Sequence, residues 1–211
     1  PFANYWIHNA HLIVDGRKMS KSLGNFYTLR QIMDRGYSGR EIRYVLISAH
    51  YRQALNFTFE ALDGARASLA RIGEFRDRLR EQAGGAGGLP AWADKARNGF
   101  KAALDNDLGI SEALAALFDM VHDGNRAMDA GAKDWDANAV LALLDEFDRV
   151  LGVLGKSGDE AGAEVRNLAA EREKARQARN WAESDRIRHR LAELGWDVRD
   201  TPAGPKLKKK A

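Results

Sequence analysis

Between Phe59 and Gln82 the apolar positions fall at Leu62, Ala65, Leu69, Ile72, Phe75 and Leu79, in steps of three and four. That spacing gathers all six on one stripe of a single long amphipathic helix. Such a stripe must be laid against other elements, and the chain supplies more helical patterns, around Ala91–Leu104, Glu112–Met128 and Ala137–Leu154. Leu114, Leu117, Phe118 and Val121 make one apolar face, and Leu144, Phe147, Val150, Leu151 and Leu154 make another. A helical bundle is expected. Glycine-rich breaks at Gly84–Pro90 and Gly155–Gly162 bound it on either side. Beyond the second break lie two basic helical patterns, Glu164–Ala178 and Trp181–Leu194, then a short extended stretch, Trp196–Arg199, and a lysine-rich end.

Ahead of the long helix the chain reads differently. Trp6–Val14 is rich in β-branched and aromatic residues and runs into the turn pair Asp15-Gly16, so a strand and a tight turn are expected. Thr28 with Gln31 and Ser38 with Glu41 have the spacing of capping boxes, which predicts two short helices, with Gly36 stopping the first. Ile42, Val45, Leu46 and Ala49 share one face of the second. The expected division is 1–27, a strand, turn and loop; 28–83, a helical connector; 90–155, the bundle; and 163–211, a small basic unit. A strand from a parallel sheet parted from its neighbours loses the burial that holds it, so Pro1–Phe26 is expected to be the least well held.

Composition narrows the class. The 211 residues are 45% apolar and 30% charged, as in ordinary water-soluble proteins. No apolar run approaches the roughly 20 residues of a membrane span, and no secretory leader is visible, so a cytoplasmic protein with no membrane partner is expected. The absence of cysteine excludes disulfides and thiolate metal sites within these residues. His8 and His11, three apart in the expected strand, point to opposite faces, and no metal site is expected there. The chain opens at Pro1, without methionine and directly into an apolar-aromatic run, as a piece of a longer protein would. Net charge is only +3, but Glu171–Ala211 carries 12 Lys and Arg against 7 Asp and Glu, so the basic character sits in the last unit. On charge alone that segment is a solvated helix face with a disordered lysine tail.

One stretch stands apart, "DGRKMSKSLGNF" at Asp15–Phe26. It places Lys18 and Lys21 between serines and glycines, after a strand and before a capped helix. Ammonium groups on flexible stems suit phosphate oxygens. The whole string Lys18-Met19-Ser20-Lys21-Ser22 matches the KMSKS signature of class I aminoacyl-tRNA synthetases at every position.

The neighbouring residues resemble one family in that class, the cysteinyl-tRNA synthetases. Leu23-Gly24-Asn25-Phe26 follows the signature as it does there, and His50-Tyr51-Arg52 with Leu55-Asn56-Phe57 stands where the family has a similar segment. "FKAALDNDLGISEALAALFDMV" is similar to the family's bundle, and "WAESDRIRHRLAELGWDVRDTPAG" to its anticodon-side domain. The implied architecture is mainly α: the remnant of a Rossmann-type α/β catalytic domain carrying the KMSKS loop, a helical connector contacting the tRNA stem, a helical bundle, and a small basic C-terminal domain.

The resemblance implies an ATP-dependent ligase that forms a cysteinyl adenylate and passes the cysteinyl group to its tRNA. ATP with Mg, cysteine and the cysteine-specific tRNA are the implied ligands and partners. Lys21 would be the chief ATP contact, with Lys18 second. Ser20 and Ser22 either donate to phosphate or cap the following helix, Met19 packs the loop down, and Gly24 and Asn25 shape the turn after it. Arg176, Trp181, Asp185 and Asp200 match positions on the anticodon side. There Trp181 either stacks a base or lies in the core, and Asp185 either reads a base or pairs with Arg186 or Arg188. For His50 and Arg52 a contact with the tRNA stem is open.

Several family features are missing. The His-Ile-Gly-His-type signature is absent, as are the zinc-binding cysteines with their accompanying His and Glu, so the Zn of the full-length enzyme would have no ligands here. These 211 residues alone are therefore expected to make no adenylate. Gly109-Ile110-Ser111 stands where the family has Asn-Thr-Pro, which touches the start of a helix. Gly204-Pro205-Lys206-Leu207 replaces Gly-Thr-x-Trp, a loss that Lys206, Lys208, Lys209 and Lys210 would offset by attracting phosphate. Two alternatives stay open: a cysteine ligase acting on an amino sugar, of the mycothiol-pathway type, and a non-catalytic tRNA-binding module.

Overall fold

The computed structural model describes residues 2–82, 85, 87–132, 134–155, 163–201 and 204–209. The chain forms two compact units, Pro1–Leu154 and Gly155–Ala211.

In the first unit a small sheet carries the KMSKS stretch. Strand β1 (Leu12–Val14) turns through Asp15 and Gly16 into β2 (Arg17–Lys18), pairing Ile13 with Lys18 and Val14 with Arg17. Asp15 and Gly16 both have positive φ, 50° and 73°, as a two-residue hairpin turn demands. On its other side β1 runs parallel to β3 (Leu55–Phe57), with Val14 opposite Phe57. Between them come α1 (Leu29–Asp34) and α2 (Gly39–Ser48), the crossover a parallel pair requires. Both capping boxes are formed, and Gly36, at φ 88°, follows the end of α1.

The expected strand Trp6–Val14 is shorter than its composition suggested. Only Leu12–Val14 has a neighbouring strand on either side, whereas Trp6 and Ile7 are exposed. Composition reports the preference of a residue for a sheet, but a strand exists only where a partner accepts its amides.

The long helix is α3 (Phe59–Glu81), started by Thr58, whose hydroxyl accepts from Ala61 N at 3.1 Å. It belongs to two cores. Its first turns bury Leu62 and Ala65 with Val14, Ile32, Ile42, Val45 and Phe57. Its later turns bury Ile72, Phe75 and Leu79 against α4 (Ala91–Asp105), α5 (Ile110–Asp129) and α6 (Ala137–Leu151). Leu62, Ile72 and Leu79 are wholly buried, each contributing about 1.5–3 kcal/mol of transfer free energy. The bundle centre holds a stacked Phe100–Phe147 pair, centroids 4.1 Å apart. Helix α5 comes so close to α3 at Gly124 that a Cβ there would lie 2.5 Å from Phe75 Cε2.

Two expected core residues face solvent, Leu46 and Val150, both about half exposed. In α2 the buried residues are Glu41, Ile42 and Val45, and at 100° per residue Leu46 falls off the edge of that stripe. In α6 the buried set is Ala137, Val140, Leu143, Leu144, Phe147 and Leu151, again leaving Val150 to one side. Buried Glu41 has partners that offset its desolvation: it completes the Ser38 capping box, accepting from Ser38 N at 2.6 Å, and accepts from Arg66 Nε at 2.7 Å.

The second unit packs α7 (Ala163–Gln177) and α8 (Trp181–Glu193) on an antiparallel hairpin of β4 (Trp196–Thr201) and β5 (Gly204–Lys209). Val165, Ile187, Leu191, Trp196 and Val198 form its core. The lysine-rich end is thus not a disordered tail. Its alternate residue Leu207 packs on that core opposite Val198, which draws the segment into a strand despite its charge.

Candidate functional site

The loop after β2 is held from within by Asn25. Its Oδ1 accepts from Ser20 N at 2.9 Å, and its Nδ2 donates to the carbonyls of Lys18 at 3.1 Å and Val14 at 3.4 Å. One carboxamide therefore closes the loop onto the strand that precedes it. Within it, Lys21–Leu23 makes a single 3-10 turn ended by Gly24 at φ 69°, a left-handed position where a side chain is disfavoured. Met19 packs against the small core beneath, as expected of a residue that seats the loop.

Lys18 and Lys21 are both exposed, and among the described residues neither makes an ion pair. The Lys21 ammonium lies 5.5 Å from the Phe26 ring centroid, a cation–π contact that an anion can outbid. Ser20 and Ser22 bond to each other, Oγ to Oγ at 2.8 Å. Neither caps α1, since Thr28 does so with Gln31; their hydroxyls stay beside the two lysines. The arrangement is a pinned backbone bearing two mobile cations and a hydroxyl pair, suited to several phosphate oxygens at once.

In the second unit the four expected residues divide into two pairs. Trp181 opens α8 and is 60% exposed, so it is not a core residue. Asp185, one turn on, is exposed too. Arg186 gives its guanidinium to Glu183, at 2.8 and 2.6 Å, leaving Asp185 without that partner. Asp200 and Arg176 are bonded to each other. Asp200 is also gripped by Arg172, Nη1 to Oδ1 at 2.7 Å and Nη2 to Oδ2 at 3.2 Å. These bonds, Arg172's first, hold the Asp200 carboxyl below the usual carboxylate range. Arg172, only 7% exposed in its side chain, is a residue that sequence reasoning missed. Its spacing of four from Arg176 on one helix was the available signal. The side chains of Lys206, Lys208, Lys209 and Lys210 lie outside the described residues.

His50 and Arg52, left open as stem contacts, face the turn between α4 and α5, where both bond Asp107.

Among the described residues no group of three or more His, Cys, Asp or Glu is placed to hold a metal ion. With no cysteine in the chain, the residues do not fit a thiolate zinc site. No helix among the described residues is long and apolar enough to cross a membrane.

Comparison with known proteins places these parts together. Residues 1–67 match the family model of the class I (C) tRNA synthetase catalytic domain, 99–155 the DALR domain, and 159–205 the cysteinyl-tRNA ligase anticodon-binding domain. The chain is 45% identical over 223 residues to the cysteine–tRNA ligase of Chlamydia caviae, covering 99% of this chain and 45% of that protein. It is 39% identical over 213 residues to the cysteine–tRNA ligase of Protochlamydia amoebophila, with the same coverage. It thus spans a little under half the length of these curated relatives. A solved LeuRS–tRNA–LeuAMS complex from Agrobacterium radiobacter K84 is 22% identical, with a TM-score of 0.48 over 69% of this chain and 20% of that one. With three family models in their order along the chain and relatives that align over nearly all of it, the chain belongs to the cysteinyl-tRNA synthetase family, as its C-terminal region.

Proposed function

We propose that this chain supplies the ATP-gripping loop and the tRNA-binding units of a cysteine–tRNA ligase. The observation that carries this is the Asn25-pinned loop, which fixes the backbone while leaving Lys18 and Lys21 unpaired and exposed. In adenylate formation, negative charge gathers on the departing pyrophosphate, and preplaced cations lower that barrier. Lys21 leaves Phe26 to meet the phosphates, Lys18 joins it from β2, and Ser20 and Ser22 donate hydroxyl hydrogens to the remaining oxygens. Magnesium would accompany ATP as its counter-ion.

The parts divide the work as the sequence suggested: 1–27 carries the loop, 28–83 contacts the tRNA stem, 90–155 is the bundle, and 163–211 faces the anticodon. Trp181 stacks an unpaired base, and Asp185 accepts from a base edge beside it. Asp200 and Arg176, bonded to each other and to Arg172, offer a base only the edges those bonds leave free. The match to an anticodon-binding domain favours tRNA over an amino sugar as acceptor, and the protein would act in the cytoplasm.

Titrating the chain with inorganic pyrophosphate by calorimetry tests the loop. Lys21→Ala is expected to weaken binding about tenfold, equal to about 1.4 kcal/mol, with a smaller loss for Lys18→Ala. Equal affinity in wild type and both variants would remove the lysines from the role given them.

A further inference from the structure

An aspartate in the turn between α4 and α5 is held by three consecutive residues from the loop that follows α2. Tyr51 Oη donates to Asp107 Oδ1 at 2.6 Å, and Arg52 donates through Nε to Oδ2 at 2.7 Å and through Nη2 to Oδ1 at 3.3 Å. The Asp107 carbonyl accepts from His50 Nε2 at 2.9 Å, while His50 Nδ1 accepts from Arg52 N at 3.3 Å. Those partners assign the neutral His50 ring its proton on Nε2. At the start of α5, Ser111 Oγ donates to the Ser48 carbonyl at 3.0 Å, a second tie between the same two segments. Asp107 and Leu108 both have left-handed backbone, φ 53° and 56°, a conformation costly to residues with a Cβ and kept only where surroundings enforce it. An isolated surface ion pair would contribute little, but four bonds converging on one strained turn, with the Ser111–Ser48 tie beside them, form a fixed joint.

The same short loop is fastened to the sheet. The Tyr51 carbonyl accepts from Ala10 N at 2.8 Å, just ahead of β1. Next comes β3, paired with β1, and Asn56 Oδ1 accepts from Gly16 N in the hairpin turn at 2.9 Å. From β1, the Val14 carbonyl reaches Asn25, which sets Ser20. A continuous set of bonds therefore runs from the bundle's Asp107 to the two-lysine loop.

We propose that Asp107 is a positioning residue for the Lys18–Lys21 loop, acting through Tyr51 and Arg52 to fix the β1–β3 pair, and with it the loop, on the helical bundle. This rests on the phosphate-gripping reading only for what the loop holds. It gives the α4–α5 turn a part in the nucleotide end of the reaction, although none of its residues approaches the lysines. Because the joint ties backbone to backbone through side chains, loosening it should be felt at amides far from the turn.

The test uses the full chain with Asp107→Asn and Tyr51→Phe, the second deleting a single hydroxyl so that the fold is kept. Amide hydrogen exchange is read at Ala10, Gly16 and Ser20, and at Leu117 and Leu144 in the bundle core. Both variants are expected to speed exchange at the first three by about three- to tenfold and to leave the core amides unchanged. The double variant should do no more than the stronger single one, since both break one joint. Pyrophosphate affinity should fall by a similar factor. Faster exchange confined to 49–54 and 105–111, with Ala10 and Ser20 unaltered, would make the joint a local clip and overturn the proposal. Spread of the exchange effect in a chain that binds no pyrophosphate would uphold the positioning and reject the ligand assigned to the loop.

Discussion

Replacing Asn25 with alanine removes an acceptor from Ser20 N and a donor from the Lys18 and Val14 carbonyls in one step. Each such bond contributes about 0.5–1.5 kcal/mol net, and the 3.4 Å contact to Val14 falls at the weak end. The site is only half-buried, so water can serve part of what is lost. The closed loop should lose about 1.5–2 kcal/mol, raising its open population about ten- to thirtyfold. Exchange of the Ser20 amide, read by NMR, should speed up by that factor, and pyrophosphate binding should weaken comparably. Asn25→Asp separates geometry from charge. It keeps an acceptor for Ser20 but loses both donations and sets a carboxylate among the lysines, so anion binding should fall further than in Asn25→Ala. Unchanged Ser20 exchange in Asn25→Ala would refute the account of how the loop is held.

Gly124→Ala would drive a methyl to 2.5 Å from the Phe75 ring and 3.0 Å from Trp92. Overpacking of about 1–3 kcal/mol should exceed the roughly 1 kcal/mol gained in helix propensity, lowering the urea midpoint. Acid should loosen both units. Bonds from Arg52 and Tyr51 lower the Asp107 carboxyl to about 2, and the Arg172 bonds lower that of Asp200. A carboxyl depressed in the folded state adds stability above its unfolded value, and that stability is lost as pH falls through the folded one. Unfolding monitored from about pH 4 down to about pH 2 should therefore be less steep in Asp107→Asn and Asp200→Asn. Trp181→Ala should leave the thermal midpoint nearly unchanged, because the ring is exposed, yet weaken tRNA binding by the roughly 1–3 kcal/mol of one stacked base.

Features set by near neighbours in the chain were legible without coordinates. Thr28 with Gln31, Ser38 with Glu41 and the stripe from Leu62 to Leu79 need only local spacing, and all stand as expected. So does the Asp15-Gly16 turn. Leu46 and Val150 were misjudged because periodicity gives the direction of a face but not its width, which the opposing helices set. The strand status of Trp6–His11 and of the lysine-rich end depended on whether a partner strand was present, which no window of sequence contains. At the site, the two lysines were plain from the motif, and Asn25 was recognisable as a shaper of the turn though its three bonds were not. Arg52 with Asp107, 55 residues apart, and Arg172 with Asp200, 28 apart, are pairings that only the fold creates. Arg52 and Asp200 stood out beforehand only as places for RNA contact, while Asp107 and Arg172 gave no signal of being their partners.

The most direct measurement is binding of the chain to a cysteine-specific tRNA transcript, set against the same transcript with an altered anticodon, at about 50 and about 200 mM salt. A preference for the cognate anticodon that persists at the higher salt and is lost in Trp181→Ala is expected. Equal binding to both transcripts, vanishing as salt rises, would mean that phosphate attraction alone holds the RNA, and would contradict the reading of the C-terminal unit as a reader of bases.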